Sequence, residues 1–334
     1  MFAAVVCVRG SVLRQGIVAD RVKRSHATSI PPPLPQGADG LRPTLAELIA
    51  LRAAVGGRHV PRHGRHGTSG PAASPLRGRG MEYAESREYA VGDDARHIDW
   101  RLTARSGRPH TKLFQAERER LTLLVADTAP ALYFGTRVRF KSVQAARAGA
   151  VAAWAAVRDG DRLAALRGSR REPPVPPAAG PRGALRVLDA LVRWYAQPPA
   201  DDAGLDIALD HAMRVLRPGS RLVVLADPAS VASIEERRWP MLALHHEVLV
   251  LLLVDPLERD PPRAALPFAS AGHRVNLDLA SAPQRQRWRN TFVAPVETAL
   301  QRLPTRGVRV HMLSTDASSA SWLPVAERRQ AGVA

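Results

Sequence analysis

Two aspartates stand where a sheet could put them to chemical use. Leu121 to Ala126 is a continuous apolar run closed by Asp127, and Arg221 to Ala226 is another closed by Asp227. Such runs predict strands of a parallel sheet buried on both faces, each with a polar residue at its carboxyl end. In open α/β sheets, ligands bind in the crevice outside those ends, where the strand order reverses. Two carboxylates there could hold a hard cation such as Mg²⁺ through oxygen ligands, or each could cap the helix or turn that follows it. Acid–base work by the pair would need a third group, and spacing names none.

Other reactive side chains lack the company that chemistry requires. There is no Gly-x-x-x-x-Gly-Lys-Ser/Thr loop for a nucleotide and no Gly-x-Ser-x-Gly elbow for a nucleophilic serine. His246-Glu247 opens like a zinc-protease helix but runs into Val248-Leu249-Val250, which has strand character and no second histidine. His59, His63 and His66 lie among Pro61, Gly64 and Gly67, which break the helix that would align them, so a basic loop is expected there. Cys7 is the single cysteine, which excludes a disulfide framework and fits a reduced, cytoplasmic chain. These features predict a protein that is not an enzyme.

The elements that must position the aspartates form a repeating pattern. Thr44 to Val55 places Leu45, Leu48, Ile49 and Leu51 on a helical period, with Thr44 as N-cap and Gly56 as stop. After Asp127 come an Ala-rich helix over Val143 to Val157, a strand over Asp161 to Leu166 and a Pro-rich loop over Glu172 to Pro181. Helices over Leu185 to Tyr195 and Leu205 to Leu216 lead to the strand before Asp227. A helix over Ile234 to Leu244, a strand over Val248 to Val254, a long helix over Pro283 to Leu303 and a strand over Val308 to Leu313 complete the series. This alternation predicts an α/β fold with a doubly wound, mostly parallel sheet of Rossmann type. The domain reading is a disordered extension over 1–40 containing the polyproline piece Ile30 to Pro35, a charged module over 41–120, the α/β domain over 121–316 and a tail over 317–334. No run reaches ~18 uninterrupted apolar residues, so no membrane span is expected.

Charge is unevenly spread. The 334 residues carry 48 Lys and Arg against 31 Asp and Glu, a net +17, and only Lys23, Lys112 and Lys141 are lysines. Arginine, alanine, proline and glycine share GC-rich codons, so a GC-rich genome could supply much of this arginine without selection for an anionic partner. Residues 1–80 hold +9 of the charge, and Arg58 to Arg79 has five arginines, three histidines and no acid. That segment carries the alternative functional reading, nucleic-acid binding. Residues 81–120 hold eight charges of each sign, interleaved with Tyr83, Tyr89, Trp100 and Phe114. The alternation predicts carboxylate–guanidinium pairing, and Gly92-Asp93-Asp94 suits a turn followed by an N-cap, with a short helix over Ala95 to Arg105. Such a network either braces the segment or offers a recognition surface for a protein.

The same segment carries a resemblance. Arg77-Gly78-Arg79-Gly80-Met81-Glu82-Tyr83, Arg87-Glu88-Tyr89, Gly92-Asp93-Asp94, Arg96, Ile98-Asp99-Trp100, Thr103-Ala104-Arg105, Lys112 and Glu117-Arg118-Glu119 resemble the signature of the domain of unknown function 58 family. Phe134-Gly135-Thr136 followed by Lys141-Ser142 continues the likeness, which is dense over 77–147 and diffuse to about residue 316.

The resemblance implies a later half similar to von Willebrand factor A domains and a MoxR-type AAA+ ATPase as partner. The protein would then be a non-catalytic, protein-binding adaptor in the chaperone-like assembly or activation of other proteins. Partner binding or bracing falls by resemblance to Glu82, Tyr83, Arg87, Tyr89, Gly92, Asp93, Asp94, Arg96, Asp99, Trp100 and Arg105. Von Willebrand A domains that bind a cation use an Asp-x-Ser-x-Ser loop, a threonine from a later loop and a second aspartate. Here Asp127-Thr128-Ala129-Pro130-Ala131 has alanine at both serine positions, Asp227 matches the later aspartate, and residues 201–204 offer no threonine. A degenerate site with an incomplete oxygen shell for Mg²⁺ is implied.

Overall fold

The structure is a computed structural model that describes residues 40–56, 77–91, 93–115, 120–270 and 273–323. Cys7, the three histidines of 59–66, Gly92, the signature residues 117–119 and all but the end of the basic segment 58–79 lie outside those residues. Among the described residues, no helix is long and apolar enough to cross a membrane.

Thr44 caps α1 (Leu45–Ala50) by accepting from the Glu47 N–H, and a 3₁₀ turn over Leu51–Val55 extends it, as the periodicity predicts. The charged module is an antiparallel pair, β1 (Arg77–Glu88) and β2 (His110–Gln115), with α2 (Trp100–Ser106) between them. The single helix expected over Ala95 to Arg105 is instead a 3₁₀ turn over Ala95–His97 followed by α2. Asp99 accepts from the Leu102 N–H and so starts a new helix inside the span.

The central sheet consists of β3 (Leu121–Ala126), β4 (Arg162–Arg167), β5 (Val175–Ala178), β6 (Arg221–Ala226), β7 (Glu247–Val254) and, after the hairpin β8 (Ala265–Ser270) and β9 (His273–Asp278), β10 (Arg309–Ser314). Strand order is β10-β7-β6-β3-β4-β5, parallel throughout except for β5. This is the expected doubly wound α/β fold. The Pro-rich stretch read as a loop contains β5, whose Pro176 and Pro177 are tolerated because it is an edge strand. The long helix expected over Pro283 to Leu303 is interrupted: α9 (Ala282–Trp288) passes through a π turn, Arg289–Val293, into α10 (Ala294–Thr305). The β8–β9 hairpin has no counterpart in the sequence reading.

Alternate residues of each central strand enter opposite cores, which is why these strands read as unbroken apolar runs. Leu124, Val223, Leu225, Leu249 and Leu251 meet α1, α3 (Lys141–Arg158) and α4 (Gly180–Tyr195). Leu123, Val125, Leu222, Val224 and Val250 meet α5 (Gly204–Val215), α7 (Arg238–His245) and α10. Small residues let α3 press close to its neighbours. A Cβ on Gly149 would stand 2.9 Å from a Leu191 methyl and 3.0 Å from a Leu225 methyl.

The first core also takes in Ala320, Trp322 and Leu323. Buried Arg139 holds this strap, donating to the carbonyls of Thr315 and Ala317, both at 3.0 Å, while Gln144 Nε2 donates to the Ser314 carbonyl at 2.8 Å. Trp322→Ala therefore removes a core side chain, and a loss of about 3–5 kcal/mol in urea-unfolding free energy is expected. A loss no larger than that of an exposed substitution would show that the strap is not part of the core.

Candidate functional site

The chain runs outward through β4 and β5, then returns to the other side of β3 for β6, β7 and β10. The crevice between β3 and β6 is therefore the switch point, and Asp127 and Asp227 meet across it as the sequence predicts. Asp127 is buried, with Oδ1 accepting from the Ala129 N–H and Oδ2 from the Asp227 N–H, both at 3.0 Å. Burial dominates its ionisation and lifts its pKa to about 6, against hydrogen bonds from Ser230, Asp227 and Ala129 that favour the anion. Asp227 Oδ1 caps α6 (Pro228–Ala232) through the Ala229 N–H at 2.9 Å. The capping alternative thus holds for Asp227.

The other oxygen of Asp227 is held by a cation from the chain itself. Lys141, the first residue of α3, points its ammonium at Asp227 Oδ2, 2.7 Å away, and at Glu258 Oε1, 2.5 Å away. The lysine side chain is 2% exposed and its carboxylate partners are scarcely more so. Phe134 covers the group, its ring centroid 5.9 Å from Nζ. Burial alone would depress the lysine pKa, but Asp227 and Glu258 outweigh it and hold the ammonium above its ordinary range. Glu258 moves the other way, raised by burial despite the lysine.

Each partner in this cluster is locked from behind. Glu258 Oε2 accepts the Asp255 N–H at 2.9 Å, and Asp255 caps α8 (Pro256–Arg259) through the Leu257 N–H. This is a complete capping box at the end of β7. Asp255, fully buried, also accepts from Thr136 Oγ1 at 2.5 Å, the Thr136 N–H at 3.0 Å and Thr315 Oγ1 at 2.8 Å. The Phe134-Gly135-Thr136 turn serves this geometry, because the Lys141 N–H donates to the Phe134 carbonyl at 2.7 Å. A Cβ at residue 135 would lie 2.2 Å from the Arg139 carbonyl oxygen, so the turn admits only glycine.

This arrangement does not supply the oxygen ligands that a Mg²⁺ would need at the degenerate site. All four oxygens of Asp127 and Asp227 already accept from donors of the chain, and one of those donors is an ammonium. Ala129 and Ala131 supply no hydroxyl, and Thr128 spends its own on Asp202 at 2.8 Å. Among the described residues, no group of three acidic, histidine or cysteine side chains is disposed to hold a metal.

The charged module uses its acids both as ion-pair partners and as caps. Arg87 pairs with Asp93 at 2.6 Å, the Tyr89 hydroxyl donates to the Asp93 carbonyl at 3.1 Å, and exposed Arg108 reaches Glu88 at 3.0 Å. Asp94 instead accepts the Arg96 N–H, and Asp99 caps α2 and accepts from Ser86 Oγ at 3.0 Å. Asp93 and Asp99 ionise more readily than usual, chiefly through the backbone N–H groups of Ala90 and Leu102. Glu82 and Tyr83 lie in β1, and their side chains are outside the description. Trp100 and the side chains of Arg96 and Arg105 face solvent.

The pattern of glycine, threonine, lysine and carboxylates can be set beside known proteins. The model of the family described as "Protein of unknown function DUF58" matches residues 85–298, more than half of the chain. This chain belongs to the DUF58 family. Relatives of this DUF58 protein include Mb1516 of Mycobacterium bovis and MT1527 and Rv1480 of Mycobacterium tuberculosis, all described as uncharacterized. Each is 34% identical over 186 residues, a match covering 55% of this chain and 58% of the relative. The DUF58 chain thus spans less than two thirds of the length of these relatives. No solved structure matches it.

Sequence reasoning set Lys141 and Thr136 only within a motif and left out Asp255, Glu258 and Thr315. One signal was present: Asp255-Pro256 closes an apolar strand as Asp227-Pro228 does.

Two outcomes follow from this geometry. Lys141→Met leaves two buried carboxylates without a cation and is expected to cost about 3–5 kcal/mol in urea unfolding. Lys141→Arg is expected to fail as well, since a guanidinium fork has no room between oxygens that hold an ammonium so closely. Asp127 holds its proton more tightly in the folded chain than in the unfolded one, so its contribution to stability is lost as pH rises from about 4 to about 6. Relative to wild type, Asp127→Asn should accordingly gain about 2–3 kcal/mol between pH 4 and pH 7. A difference independent of pH would contradict that assignment.

Proposed function

We propose that this DUF58 protein is a non-catalytic protein-binding adaptor whose partner is a MoxR-type AAA+ ATPase, working in the assembly or activation of other proteins. The observation that carries the reading is the surface around α2. Trp100 is 70% exposed and Val91 fully exposed, while the exposed side chains of Arg96, Arg101 and Arg105 have no acidic partner among the described residues. Tryptophan and arginine left in water on one short element match the composition of interface hot spots. Asp94 and Asp99 are not paired with these arginines; they cap the turns of backbone that present them.

The closed crevice supports the same reading. Its carboxylates are occupied by backbone donors and by Lys141, which leaves neither oxygen of Asp227 free to take a proton from a substrate. The identity of the partner comes from the family resemblance.

Co-expression with a MoxR-type ATPase, followed by size-exclusion chromatography and calorimetry, tests the proposal. A complex is expected, weakened at least tenfold by Trp100→Ala and much less by Trp100→Phe. No association, with or without ATP and Mg²⁺, would overturn it.

A further inference from the structure

Beyond the crevice, α8 and the segment after it face α9 and the π turn across a cleft of about 540 Å³. That volume is typical of sites for small molecules, which run from about 300 to 1,000 Å³. Four arginines line it: Arg259 and Arg263 from one wall, Arg285 and Arg289 from the other. Asp260 is the single acid in the lining, and buried Trp288 forms part of the wall.

Two of these guanidinium groups are anchored. Arg285 donates to the Pro261 carbonyl at 3.4 Å and Arg289 pairs with Glu297 at 3.0 Å. Arg259 and Arg263 are exposed and make no side-chain bond among the described residues. Like charges gathered in this way repel, and on a helix the Arg285 and Arg289 spacing is itself unfavourable. A bound anion removes that cost, and several forks converging on one space suit a group with several charged oxygens. A π turn, Arg289–Val293, interrupts the helix beside the cleft, a distortion frequent at functional sites.

We infer that this cleft binds a small molecule through a di- or triphosphate group. Arg259 and Arg263 are its free ligands, and Arg285 and Arg289 frame the opposite side. The wall is continuous with the buried ion cluster, because Trp288 Nε1 donates to the Glu258 carbonyl at 3.0 Å and Arg259 follows Glu258. The inference does not depend on the proposed ATPase partnership.

Calorimetry on the full chain with inorganic pyrophosphate and, separately, with ATP tests it. Saturable one-to-one binding of pyrophosphate is expected, weakening as salt rises and falling at least tenfold in Arg259→Ala/Arg263→Ala. Arg214→Ala, which removes an exposed arginine elsewhere, should leave it unchanged. ATP binding like pyrophosphate would place recognition in the phosphates alone, and tighter ATP binding would identify a nucleotide; both support the site. No saturable pyrophosphate binding at millimolar concentration, equal loss in Arg214→Ala, or tighter binding of a hexaglutamate peptide would overturn it, the last in favour of an acidic protein segment.

Discussion

The contact between the Lys141 ammonium and the carboxylates of Asp227 and Glu258 joins the start of α3, the end of β6 and the turn after β7. Three segments far apart in sequence converge on a charge almost wholly removed from water. Taking such ions out of water costs several kcal/mol each, and the cost is offset only when geometry is close and the remaining lone pairs are filled. Here they are filled: Glu258 by the Asp255 N–H, Asp227 by the Ala229 N–H and Asp255 by Thr136 and Thr315. The arrangement of the whole carboxyl edge follows from satisfying one buried cation.

The opposite edge of the sheet solves a similar problem with different residues. Arg120 grips Asp161 at 3.0 and 3.1 Å and Glu247 at 3.2 Å, Arg221 also reaches Glu247 at 3.2 Å, and Arg309 joins them. There the planar fork of Arg120 bridges two acids at once, Asp161 and Glu247. Between Asp227 and Glu258 there is room only for a point charge. In a chain with three lysines, that difference in shape explains why Lys141 is one of them. Arg120, Arg139, Arg167 and Arg221 are the buried arginines among the described residues, and they serve the sheet ends and the strap over α3.

The fold was legible because strands buried on both faces leave unbroken apolar runs, and because β3, β6 and β7 run into aspartates, Asp127, Asp227 and Asp255. Asp127 and Asp227 could be placed together on topology alone. What filled the space between β3 and β6 could not, since Lys141 and Glu258 lie 117 residues apart and meet only through the tertiary fold. In the module, pairing by Asp93 and capping by Asp94 follow the sequence reading, but the second cap, Asp99, was missed because it is set by a backbone turn rather than by charge pattern. The hairpin β8–β9 escaped because Pro267 inside β8 argues against a strand there.

The cation of the carboxyl edge is the Lys141 ammonium, charged and shielded from water. Nitrogen-15 NMR of the lysine Nζ groups tests it most directly, since the chain holds only Lys23, Lys112 and Lys141. One ammonium signal should exchange slowly with solvent at neutral pH, stay charged through the ordinary lysine titration and vanish in Lys141→Met. Three signals that exchange and titrate alike would contradict it.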